Sequence, residues 1–389
     1  MTNAVVIEAL VKIGLLIFGL LTAAAYLVLL ERWVAAWVQD RRGPNRVGIP
    51  LTNIRLMGLG QPLADGLKFI FKEEYTPRHV DKWLYSVAPI AILASAMAVF
   101  AVIPFGSVMP VAGVKNPIHL VVAPGFDVGI VYVFAVSSLA VYGVILGGWA
   151  SNNKYSFLGA LRSTAQLIAY EIPLGLAILG VALASGSLRL ETIISQQAAS
   201  GEWNLLNQPL GFLVFFVASL AESARLPFDL PEAEQELIGG YHTEYSGMRL
   251  LMYLIGEFLH MVTAAALIVV LFLGGWHLWG LTGHEENIHW GTALVRVVVF
   301  AAKVLATIFF IMLIRWSWPR FRFDQLMALA WKVMLPLGLV NLVMIAVMVE
   351  YGEHFHEIAL VLGVWFLSGI VILVMAVTQP LESDNRPRW

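Results

Sequence analysis

Eight long stretches of this 389-residue chain contain no Asp, Glu, Lys or Arg, and that spacing of charge constrains its fold more than any single motif. The stretches run 13–30, 83–114, 128–153, 172–188, 203–221, 258–284, 333–349 and 358–381. Roughly 20 apolar helical residues cross a bilayer core, and most of these windows are long enough. In lipid, only helices and closed barrels satisfy their own backbone polar groups. Barrel strands alternate apolar and polar side chains, whereas these runs are apolar all round, so they read as helices. Charged residues make up 13% of the chain, about half the share of a soluble domain.

The spacing predicts an all-α, polytopic integral membrane helix bundle with about nine spans and long cytoplasmic loops. The spans fall at about 5–30, 86–108, 127–149, 158–185, 209–222, 250–274, 293–314, 333–350 and 358–378. The fifth is short, and Lys303 interrupts the seventh. With no Gly/Ser or Pro-rich linker and no repeat, residues 1–389 read as one transmembrane domain. No basic segment precedes the first span, so it is expected to be retained as a helix.

Alternating loops sort the basic residues onto two sides. Segments 31–84, 150–162, 222–249, 315–332 and the tail after 380 hold 19 of the 24 Lys and Arg. The positive-inside rule makes that side cytoplasmic, with the N-terminus outside and the C-terminus inside. The other side carries His277, His284, Glu285, Glu286, His289, His354 and His356; its histidine pairs are read as loop residues rather than metal ligands. Cysteine is absent, which excludes disulfides, thiolate-held iron–sulfur clusters and Cys-linked haem. Electron carriers would belong to partners. A net charge of −2 gives no reason to expect nucleic acid.

The cytoplasmic segments are too polar to span and too patterned to be tethers. The first contains Glu31-Arg32-Trp33, then Arg41 to Gly48, then Gln61 to Lys68. Leu63, Leu67 and Ile70 or Phe71 fall on one face of residues 62–72, predicting an amphipathic helix on the membrane surface. The second segment leads into a helix where Arg162, Gln166 and Tyr170 share a stripe, with Glu171 next and Pro173 after it. A carboxylate at that depth costs about 3 kcal/mol; a buried pair or a proton path would each explain it. The third segment holds Asp229, Glu232, Glu234, Glu236 and Glu244 against Arg225 alone. A solvated acidic loop is the bland reading. Interleaved apolar residues favour a partly dry site in which crowded carboxylates raise one another's pKa. Glu257 follows in the next span, and His260 beside it is expected to make a satisfied polar contact. The fourth segment alternates bases and aromatics from Arg315 to Met327, suiting a membrane boundary or a docked partner.

Together these segments resemble one family: the H-type membrane subunit of bacterial NADH-quinone oxidoreductase (respiratory complex I), equivalent to mitochondrial NADH dehydrogenase subunit 1. The matching stretches are Glu31-Arg32, the run at 42–48, Gln61 to Lys68, Asn153-Lys154-Tyr155, Tyr170-Glu171, Arg225 to Asp229, Glu236 to Gly247 and Pro319 to Met327. They occur in family order over about 25–340. Ser223-Ala224 replaces the usual Thr-Asn, and Ala233 a usual Gly; the span at about 358–378 lies beyond the common eight-helix core.

The resemblance implies a subunit without redox centres that forms much of a quinone chamber and couples quinone reduction to proton translocation. It implies that Arg32, Arg41, Asp65, Lys68, Arg225 and Phe228 line or shape the chamber. Glu31, Glu171, Glu222, Asp229, Glu232, Glu234, Glu236 and Glu257 would serve proton coupling. Ubiquinone or menaquinone would be the substrate, with FMN and iron–sulfur clusters held only by partner subunits. Those partners would be the hydrophilic quinone-module subunits and the other membrane-arm subunits, with lipids around them in a bacterial inner membrane. Two other readings stay open on residues alone: a related subunit of a hydrogenase or formate-oxidising complex, and an independent ion transporter using Glu171 and Glu257.

Overall fold

Apolar, unbroken sequence makes long helices here, and short polar signals end them. In a computed structural model, residues 3–48, 57–110, 118–231, 234–282, 289–351 and 357–378 are described. The elements in order are α1 (Asn3–Val38), α2 (Gln61–Phe71), α3 (Lys82–Ala98), β1 (Val108–Met109), β2 (Ile118–His119), α4 (Gly129–Ala150) and α5 (Lys154–Ser185). Then come α6 (Leu190–Ser200), α7 (Asn204–Asn207), α8 (Pro209–Glu222), α9 (Glu234–Leu237), α10 (Gly247–Phe272) and α11 (Trp290–Ser317). Last are α12 (Phe323–Ala328), α13 (Leu335–Tyr351) and α14 (Glu357–Thr378). A π-helical turn, Leu329–Met334, joins α12 to α13. Among the described residues seven helices are long and apolar enough to cross a membrane, while 209–222 and 363–375 are shorter apolar helices.

The bundle departs from the expected spans at three helix ends. Helix α1 runs past residue 30 to Val38, because nothing from Glu31 to Val38 breaks a helix. It ends where Asp40 turns left-handed, at φ +50°, and the Arg41 N–H donates to the Ala36 carbonyl at 2.8 Å. Glu31 and Arg32 therefore sit on a helix, not in a loop. Helix α3 starts earlier than 86, since Asp81 accepts from the Trp83 and Leu84 N–H groups. The span predicted to reach 108 gives way before Pro104, and β1 pairs antiparallel with β2. The fourth polar segment turns helical at Phe323.

Helix α10 is the most buried span; α3 and α4 pack together, α5 lies against α4, α8 and α13, and α10 against α3 and α11. Lipid offers no hydrophobic drive between helices, so close backbone approach through small residues holds such bundles. At Gly159 on α5 a Cβ would lie 2.8 Å from backbone atoms of Gly240 and Tyr241, so only glycine lets the loop after α9 lie against α5. Chain alternation puts the described residues 39–48, 57–80, 151–153, 223–231, 234–246 and 318–322 at one end, the loop face. Helix α2 carries the expected amphipathic pattern there: it buries no residue, and Leu63, Leu67, Ile70 and Phe71 are exposed.

Candidate functional site

At the loop face the inner turns of α1 and α11 meet the segment after α8. Glu31 on α1 is buried and faces two guanidinium groups: Arg225 at 3.3 Å and Arg315 of α11. Arg225 also lies over the Phe258 ring, 4.2 Å from its centroid. Close by in the chain, Asp229 accepts from Arg320 at 2.9 Å. Among the described residues, Arg225, Arg315 and Arg320 thus share Glu31 and Asp229 as paired carboxylates. Nε and one terminal nitrogen of Arg225, and Nε of Arg315 and of Arg320, are buried without hydrogen-bond partners among the described residues. Buried donors without partners call for a water or a ligand acceptor. The Asp229 carboxyl is pushed up to about 6: burial raises it, Arg320 opposes that, and Glu257 adds a further rise.

The other residues expected at a chamber fall into two groups. Arg32 pairs with Asp65 at 2.8 Å, and Gln61 donates to the same carboxylate at 2.9 Å, so α1 and α2 are tied. Lys68 is exposed in the last turn of α2. Arg41 is exposed and donates to Gln39 at 2.7 Å. Phe228 does not face open space; it is 1% exposed, stacked on Phe321 at 5.4 Å and beside Tyr170 at 5.8 Å. Its ring fixes the loop in place. The helix stripe foreseen on α5 is the clamp: Gln166 donates to the Ala221 and Phe228 carbonyls, both at 2.8 Å. Tyr170 donates to the Leu326 carbonyl at 3.0 Å.

Among the described residues, the third-loop acids Asp229, Glu236 and Glu244 are not crowded together as expected. Asp229 takes Arg320, Glu236 takes Arg162 at 2.6 Å, and Glu244 accepts from Asn153 at 2.6 Å. Folding spreads them over three partners because each is drawn to a different donor. Glu232 lies outside the described residues, as does the side chain of Glu234. The crowding arises instead between helices. Glu171 of α5, Glu222 at the end of α8 and Glu257 of α10 line one cavity of about 60 Å³. That is room for about four waters. Ser138 donates to Glu171, and the Tyr241 hydroxyl donates to Glu257 at 2.7 Å.

His260 lines the same cavity, and its buried Nε2 has no hydrogen-bond partner among the described residues, contrary to the satisfied contact expected. The spacing of the fourth segment suited membrane anchoring and docking equally; Arg315 and Arg320 turn inward to Glu31 and Asp229 instead. Sequence patterns did not point to Tyr241 and Ser138, since a lone Tyr or Ser carries no signal until a carboxylate stands opposite it.

A family model described as NADH dehydrogenase matches residues 11–346. The chain is 46% identical over 333 residues to an H-type NADH-quinone oxidoreductase subunit of Geobacter metallireducens, covering 86% of this chain and 94% of that one. It is 45% identical over 331 residues to an H-type NADH-quinone oxidoreductase subunit of Geobacter sulfurreducens, covering 85% and 93%. With the H-type NADH-quinone oxidoreductase subunit of Flavobacterium johnsoniae it shares 41% over 364 residues, 93% of this chain and 100% of that one.

Proposed function

The chain belongs to the NADH dehydrogenase family, and on that premise we propose that its loop face borders the quinone and that its helix carboxylates convert quinone reduction into proton movement. It works as a membrane subunit of an oxidoreductase complex, whose other subunits supply FMN, iron–sulfur clusters and electrons. We place residues 1–389 in the inner membrane as one unit, N-terminus outside and C-terminus inside, with hydrophilic partners on the loop face and membrane subunits alongside.

Reducing a quinone takes two electrons and two protons. Negative charge on its oxygens before protonation interacts strongly with nearby groups in a low-dielectric chamber. The unpartnered N–H groups of Arg225 suit that charge, and the Arg32–Asp65 pair, with Lys68 and Arg41 further out, suits the chamber's approach. Phe228 shapes the wall from behind. The observation that carries the reading is Asp229. It pairs with the arginine layer through Arg320, and the loop that carries it reaches the carboxylate cavity through the Tyr241–Glu257 hydrogen bond. Charge arriving at the arginines shifts Asp229; the loop, held by Gln166 and Tyr241, passes the shift to Glu171, Glu222 and Glu257. Glu31 offsets the charge of Arg225, and Glu232, Glu234 and Glu236 serve as proton-exchanging groups of the loop.

Arg225→Met in the assembled complex tests this. NADH:quinone activity is expected to fall more than tenfold while NADH:ferricyanide activity, which needs only the partner subunits, stays at the wild-type level. Full quinone activity in that variant would overturn the reading.

A further inference from the structure

Two cavities meet at His260. The second, about 10 Å³ and so room for about one water, shares Ser137, Glu222, Ser223 and His260 with the carboxylate cavity. Past these it is lined by Ser219 and Thr263, then by Leu174, Phe215 and Leu267. Each helix carries it away from the loop face. Helix α10 starts at that face, so Thr263 and Leu267 lie about one and two turns beyond His260. Helix α5 runs the same way, placing Leu174 beyond Glu171. Helix α8 runs oppositely, placing Ser219 and Phe215 beyond Glu222. The second cavity is polar at its entrance and apolar at its end.

His260 stands at the fork. Its Nε2 is buried with no hydrogen-bond partner among the described residues, and an imidazole nitrogen so placed calls for a water or a proton. The titratable groups around it are Glu257 on its own helix, Glu222 from α8, Glu171 from α5 and Tyr241 from the loop; α4 adds the hydroxyls of Ser137 and Ser138.

We propose that His260 carries protons from the carboxylate cavity into a branch that leads away from the loop face and is closed by Leu174, Phe215 and Leu267. The proposal rests on the reading that the carboxylates carry protons. Protonated Glu222 gives its carboxyl proton to Nε2, directly or through one water. The O–H bond breaks, an N–H bond forms, and a carboxylate and an imidazolium remain. The imidazolium releases that proton to water beside Thr263 and returns to neutral; Glu222 is reprotonated from the loop side. The apolar end interrupts the file of water and so prevents a leak between turnovers.

The test uses the assembled complex in inverted membrane vesicles, reading NADH:quinone rate, vesicle acidification and passive proton leak between pH 5.5 and 8. His260→Asn keeps a polar side chain that does not titrate. It is expected to lower acidification per NADH at least fivefold and to change the pH profile. Leu267→Ser is expected to raise the leak without NADH severalfold, and adding His260→Asn to remove that leak. A wild-type rate, proton yield and pH profile in His260→Asn, or a Leu267→Ser leak that persists without the histidine, overturns the proposal. If Leu267→Ser does not assemble, as ferricyanide activity reports, His260→Asn alone decides. Glu222→Gln and Glu257→Gln separate the two levels. Should both behave as wild type, the carboxylate reading itself is wrong; should they fail while His260→Asn does not, only the branch is wrong.

Discussion

The hydroxyl of Tyr241 donates a 2.7 Å hydrogen bond to Oε1 of Glu257, so the loop between α8 and α10 holds a carboxylate of the cavity directly. The Tyr241 ring is buried against Tyr253, at 5.2 Å, which makes hydroxyl and ring separable by mutation. Tyr241→Phe keeps the packing and removes the donor. A typical hydrogen bond contributes about 0.5–1.5 kcal/mol. Coupled NADH:quinone turnover is expected to fall about three- to tenfold with normal subunit abundance, measured against ferricyanide reduction.

Asp229 sets a pH signature. Its carboxyl is raised by burial to about 6 from an ordinary 3.8, so the folded state holds this proton more tightly than the unfolded one. The stability contribution is therefore fully present below pH 3.8 and is lost as pH rises through about 6. Quinone reduction is expected to inflect near pH 6, and Asp229→Asn to flatten that inflection. Arg320 lowers the carboxyl, so Arg320→Met is expected to move the inflection to higher pH. An unmoved inflection in both variants would mean that another group sets it.

Glu31 is shared by Arg225 and Arg315 as their paired carboxylate. Removing one partner of a buried ion pair costs about 3–5 kcal/mol because the remaining charge is left uncompensated. Glu31→Ala is expected to reduce assembled complex in membranes severalfold, and Asp65→Ala much less, since its partner Arg32 is exposed. Quantifying the subunit in native gels checks the order.

Lys303 closes the far end of α10. Its ammonium donates to the carbonyls of Leu273, Gly275 and His277 at 2.5, 3.1 and 2.6 Å, and it lies 4.7 Å from the Trp203 ring centroid. Lys303→Met leaves these carbonyls without their charged donor and is expected to cost about 2 kcal/mol or more. A lower melting temperature of the purified complex, with little change in quinone activity, is the expected outcome.

Much of this molecule was legible because membrane burial is decided locally. The uncharged runs marked the helices, the 62–72 pattern marked α2, and the four-residue spacing of Arg162, Gln166 and Tyr170 marked one face of α5. Helix ends were less legible. A charge ends an apolar window without ending a helix, which is why Glu31 and Arg32 lie on α1 rather than after it. The third loop misled for a different reason: its acids are neighbours in sequence, but Asp229, Glu236 and Glu244 find donors on three other segments.

The amino-acid sequence alone determined that this chain forms apolar helices with a basic, polar face, because the cost of placing each residue in lipid depends on that residue and its near neighbours. Which charge meets which was decided only by tertiary structure. Glu31 and Arg225 stand 194 positions apart, and Glu171, Glu222 and Glu257 come from three helices. Their energies depend on distance and on excluded water, and neither exists until the helices pack.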